Sequence, residues 1–154
     1  MARKTYNEKL NSSGDLPKIE IITDPKMIAR YGGERMLIAS ALCYDGIMKR
    51  VPFGKLITSV DLRIFFAARH GADFTCPLTA GIFINIATHA AAERNMSDTS
   101  PYHRTLRKDG ELNEKFPGGI DAHRAMLEVE GHEIFQKGKR FFVHEYQKAI
   151  WVIN

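Results

Sequence analysis

Residues 58–95 read TSVDLRIFFAARHGADFTCPLTAGIFINIATHAAAERN. Apolar residues recur here at helical spacing, in two runs separated by a short turn that contains a glycine. In the first run Thr58 or Ser59 would cap the helix, Leu62, Phe65 and Phe66 would face inward, and Gly71 would end it. "ADF" reads as the turn. The second run starts with Thr75 as cap and Pro77 in the first turn, then continues as a long Ala/Ile-rich helix. Two helices joined in this way are the outline of a helix-turn-helix, whose second helix enters a DNA groove.

On the C-terminal side, residues 96–119 are loop-rich, and short strands flanking the "KDG" turn would make a wing. "GIDAHRAMLEVEGHE" (119–133) predicts another helix, capped by Asp121. The tail "KRFFVHEYQKAIWVIN" is aromatic and β-branched, and reads as a strand or hairpin. On the N-terminal side, "VPFGK" (51–55) is a turn punctuated by Pro52 and Gly54. Residues 24–51 support a helix broken around Gly32 and Gly33, and "KIEIIT" (18–23) a short strand. Residues 1–17 read as a flexible arm.

Composition sets bounds. The chain has 154 residues, enough for one compact domain with a real core and too few for two large ones. Net charge is +4, a mild basic bias compatible with a polyanion partner. There are two cysteines, Cys43 and Cys76, without metal-ligand spacing, and the six histidines form no ligand pattern, so no metal is expected. The cysteine usage fits a reducing compartment. No apolar run is long enough to span a bilayer and the polar start lacks a signal-peptide centre, so the expectation is a cytoplasmic protein without a membrane partner.

Three segments, in order, carry a resemblance: "VPFGKLIT", "PYHRTLRKDGEL" and "FPGGIDAHRAMLEVEGH". Over roughly residues 34–135 the chain resembles the C-terminal DNA-binding domain of the alkylguanine–DNA alkyltransferases, which move an alkyl group from guanine to the cysteine of a Pro-Cys-His-Arg motif. The resemblance implies an α+β, mostly helical fold. Its core would be a winged helix-turn-helix domain (about 34–135), extended by a C-terminal β segment (136–154), all within a single domain (18–154).

Tyr102 stands where that family has its cysteine. A cysteine there serves as a thiolate, whereas a phenol with an ordinary pKa near about 10 is protonated at neutral pH and is a weaker nucleophile toward carbon. The chain is therefore similar to the alkyltransferase-like proteins, which bind alkylated DNA without repairing it and flag it for excision repair. That resemblance implies a non-enzymatic protein without cofactor, whose partners are double-stranded, alkylated DNA and excision-repair proteins. Tyr102, His103 and Glu130 would be a vestigial relay, and Tyr102, Phe116, Pro117, Gly118 and Gly119 the lesion pocket for a flipped base.

DNA contacts would come from Leu78, Thr79 and Gly81 on the groove helix, from Thr58 and Ser59, and from the basic set Lys49, Arg50, Lys55, Arg63, Arg104, Arg107 and Lys108. Leu78 falls where the family has an intercalating arginine, and an apolar wedge can fill that role. For Tyr102 a packed loop aromatic is the other reading, for His103 with Glu130 a satisfied structural pair, and for Arg104, the motif arginine, a role in loop structure. Two further readings remain open. One is alkyl transfer through Cys76, at a helix start that favours a thiolate, or through an ionised Tyr102. The other is a protein-interaction scaffold using "RFFVHEYQKAIWVIN".

Overall fold

The computed structural model describes residues 4–94 and 101–153. Its architecture is α+β. Among the described residues the α-helices are α1 (Tyr6–Leu10), α2 (Pro25–Tyr31), α3 (Ala41–Met48), α4 (Ser59–His70), α5 (Pro77–Glu93) and α6 (Gly119–Val129). The strands are β1 (Lys18–Ile21), β2 (Arg35–Ile38), β3 (Ile57–Thr58), β4 (Phe74–Thr75), β5 (Thr105–Leu106), β6 (Ile134–Lys137) and β7 (Arg140–Val143). They form three small sheets, ordered β1-β2-β4, β3-β5 and β6-β7. No helix among the described residues is long and apolar enough to cross a membrane.

The helix-turn-helix pair expected at 58–95 is present as α4 and α5. Thr58 caps α4 with a complete capping box: its hydroxyl accepts from Asp61 N–H, and the Asp61 carboxylate accepts from Thr58 N–H. Gly71 closes the helix at a left-handed φ of 67°, which glycine adopts without a Cβ penalty. In α5 the small residues Ala80, Ala87, Ala90 and Ala91 are buried. They let α3 and α1 approach closely. Tyr44 of α3, fully buried, meets Phe66 of α4 edge-on at 4.9 Å between ring centroids, and Leu37, Leu62, Ile84 and Phe116 complete this core. A second cluster of Leu56, Leu106, Leu112, Leu127 and Val143 joins α6 to the C-terminal ribbon.

Several local expectations change. The expected flexible arm, of which residues 4–17 are described, is tied down where α1 lies against α5. The Glu93 carboxylate accepts from Tyr6 N–H (2.8 Å) and Asn7 N–H (3.0 Å), and Leu10 is buried with Ala41 and Ala90. Residues after Glu34, read as helix, begin with β2, which pairs antiparallel with β1 (Lys18↔Ile38) and parallel with β4 (Met36↔Phe74). "ADF" accordingly runs into a strand. Thr75 does not cap α5. It belongs to β4 and its hydroxyl donates to Arg63 C=O (2.7 Å), while Cys76 takes the N-cap position. The cap of α6 is Gly118, not Asp121.

The wing is also built differently. β5 pairs in parallel with β3, and the "KDG" turn closes through Arg107 N–H to Glu111 C=O (2.8 Å). The antiparallel ribbon is β6–β7 (Ile134↔Val143), starting slightly ahead of residue 136. Beyond it the tail folds back: Leu56 N–H donates to Ala149 C=O (2.9 Å) and Trp151 N–H to Leu56 C=O (2.8 Å).

Candidate nucleic-acid interface

The 3-10 turn Tyr102–Arg104 brings its motif side chains to the C-terminal end of α6. Glu130, next after α6, is the hub. Its carboxylate accepts from Arg104 Nε on both oxygens (2.9 and 3.0 Å), from the Gly54 N–H (2.8 Å) and from His103 Nε2. Gly54 sits in the "VPFGK" turn at φ 80°, a left-handed geometry that turns its N–H toward that carboxylate. Burial pushes Glu130 up. The hydrogen bonds from Gly54, His103 and Arg104 outweigh it and hold the carboxyl below its ordinary value. Burial likewise pushes His103 below the ordinary imidazole value, more strongly than Glu130 raises it. A neutral His103 donates its Nε2 proton to an ionised Glu130.

Of the two readings of Arg104, DNA contact and loop structure, the geometry fits the second. Its Nε is committed to Glu130, a second nitrogen donates to Val51 C=O (2.6 Å), and its side chain is mostly covered. It is a structural cation. Thr58, also expected at DNA, is buried and engaged in the α4 cap. The "PGG" loop is shaped by backbone demands: Gly118 and Gly119 have φ of 82° and 71°, and a Cβ on Gly118 would lie 2.5 Å from Ala122 Cβ.

Behind the motif turn lies a buried histidine. His123 Nδ1 accepts from Asn113 N–H (3.2 Å), so Nε2 carries the proton and donates to His103 C=O (2.8 Å). Burial pulls its pKa down from 6.5 to about 4, which keeps the ring neutral. Phe116 packs on that ring at 4.9 Å and meets Tyr102 edge-on at 6.0 Å. Tyr102 is half-buried, and burial raises its phenol above the ordinary value of 10.

A cavity of about 210 Å³ opens between α4, α5 and the segment after the motif turn. Of the expected lesion-pocket residues only Phe116 lines it; Tyr102, Pro117, Gly118 and Gly119 do not. Ser59, Arg63, Gly81 and Arg107 do line it, and so do Asn85, Thr105 and Lys115, which the sequence did not single out. Among the described residues three cations line this cavity and no acid does. Thr105 Oγ1 and Asn85 Oδ1 are buried without a hydrogen-bond partner among the described residues. Such atoms are costly to leave unmatched.

Beside the cavity, α5 presents an exposed stripe at helical spacing, Leu78 (74% exposed), Gly81 and Ile82, bordered by half-buried Asn85. A Cβ on Gly81 would meet nothing within 4 Å, so the fold itself does not require glycine there. Thr79 points its hydroxyl back to Cys76 C=O at 3.4 Å. Lys49 pairs with Asp45 at 3.1 Å, and Arg50 lies over the Trp151 ring. Neither they nor Lys55 and Lys108, all exposed, line the cavity, nor does Cys76. No group of three or more His, Cys, Asp or Glu suited to a metal occurs among the described residues.

No family model matches the chain, and no curated protein does. Solved structures do. One is that of Schizosaccharomyces pombe Atl1 in complex with damaged DNA containing O6-carboxymethylguanine, at 18% identity and a TM-score of 0.52. A second, the ATL protein of the same organism in complex with DNA, matches at 18% identity and a TM-score of 0.50. Each alignment covers 73% of this chain and 94% of the other. At that identity the likeness establishes the fold alone, which is the one these two proteins share.

Proposed function

We propose that this protein binds duplex DNA at alkylated guanine or a related lesion, holds the lesion without accepting its alkyl group, and so marks it for excision-repair proteins. The observation that carries this reading is the cavity beside the α5 stripe. It has a cationic rim and two unmatched buried polar atoms, and opens next to the helix that such folds direct at DNA. Arg107, Lys115 and Arg63 are the phosphate contacts nearest the pocket. Leu78 and Ile82 are the apolar wedge that unstacks the duplex, and Gly81 admits the close approach. Extruding a base leaves its polar edge to be matched by polar groups of the pocket.

Transfer does not follow binding. The Tyr102 phenol is raised rather than lowered by its surroundings, and neutral His103 spends its Nε2 proton on Glu130. Among the described residues no hydrogen-bonded base is placed to remove the phenol proton. The test is titration of a duplex carrying one O6-alkylguanine against the same duplex with guanine, over a salt series, with intact-mass measurement of the protein afterwards. Tighter binding to the lesion with unchanged mass is expected. Equal affinity for both duplexes refutes lesion recognition, and a mass gain equal to the alkyl group refutes the non-enzymatic reading.

A further inference from the structure

The stripe Leu78–Gly81–Ile82 has a hollow on each side. On one side is the cavity with Arg63 and Arg107. On the other is a groove of about 460 Å³, lined by Tyr6 and Lys9 of α1 together with Leu78, Ile82, Asn85 and Lys115. Among the described residues no acidic side chain lines either hollow, and the two share Pro77, Gly81, Asn85 and Lys115, so they form one continuous surface. α1 is held there firmly. Besides the Glu93 bonds, Asn7 donates to Ala90 C=O (3.0 Å), Arg94 donates to Asn7 Oδ1 (2.6 Å), and the Tyr6 and His89 rings stack at 4.7 Å. Lys9 Nζ lies 4.7 Å from the centroid of the Tyr6 ring, on the exposed rim of this groove.

We propose that α1 is a built-in part of the DNA interface, with Lys9 receiving the phosphate backbone of the strand opposite the one that enters the cavity. A helix that wedges apolar side chains into a groove has a phosphate backbone on each flank, and an uncompensated flank loses the counterion-release gain of those contacts. Arg63 and Arg107 serve one flank. α1 supplies the other, and its docking bonds fix the distance from Lys9 to the apolar ridge.

This inference rests on the DNA-binding reading above, and the experiment separates the two. Binding of an undamaged duplex is measured over a salt series for the unaltered protein, for Lys9→Ala, for Glu93→Ala and for Lys26→Ala on α2, which lines neither hollow. Lys9→Ala should weaken binding several-fold and reduce the log–log salt slope by about 0.9, the value for one lost phosphate contact. Glu93→Ala, which unfastens α1, should show at least the same loss, and Lys26→Ala none. A Lys9→Ala slope equal to that of the unaltered protein overturns the proposal. If the unaltered protein binds no duplex at all, the DNA-binding reading itself is overturned, and this inference with it.

Discussion

Glu130 joins three stretches of chain that are distant in sequence: the "VPFGK" turn, the motif turn and the end of α6. Removing it strands a largely covered Arg104 guanidinium, so Glu130→Ala should destabilise the fold by about 3–5 kcal/mol, read from chemical denaturation. A change below about 1 kcal/mol would mean that Arg104 finds water easily and that the hub matters little. Gly81 predicts the opposite balance. Its would-be Cβ has open space, and alanine is the better helix former by about 1 kcal/mol, so Gly81→Ala should raise stability by that order. If the glycine is kept for a close partner, the same variant should bind duplex DNA more weakly. Raised stability with unchanged DNA affinity would remove Gly81 from the interface.

The α4–α5 pair could be read from its own residues, because capping, glycine termination and apolar spacing are local. β2 could not. Arg35–Ile38 has the apolar content of a helix segment and becomes a strand only by pairing with Lys18–Ile21 and Phe74–Thr75, partners set by the tertiary fold. α1 was hidden for the same reason, since a five-residue helix is marginal alone and exists by packing on α5. The cavity shows the limit at the site. Phe116, Gly81 and the basic residues had visible character, but the unmatched hydroxyl of Thr105 and amide oxygen of Asn85 acquire meaning only once burial is known. If those atoms serve a ligand, Thr105→Val, nearly isosteric, should stabilise the free protein slightly and reduce discrimination between lesion and plain duplex. An undiminished affinity ratio in the titration would count against a role for Thr105.

Acid should loosen the whole molecule before it touches most carboxylates. His123 is neutral in the fold and titrates near about 4, against 6.5 for the ordinary side chain. Below 6.5 the unfolded chain takes up a proton that the native state refuses. Stability is therefore complete above that pH and declines as pH falls toward 4, by up to about 3 kcal/mol. Urea unfolding at pH 7.5 and 4.5 checks this, and a His123→Gln variant should show a flatter pH response. Equal responses would assign the acid sensitivity elsewhere. The pairing of Leu56 with Ala149 and Trp151 has a consequence for the molecule's birth. On a ribosome, the "VPFGK" turn leaves the tunnel roughly 90 residues before its partners, and at about 5–20 residues per second that is a wait of about 5–20 s. Throughout that interval the backbone of Leu56 lacks the strand that will cover it. A nascent chain stalled short of residue 149 should thus be open to protease at this turn, and one released beyond residue 151 should be closed to it.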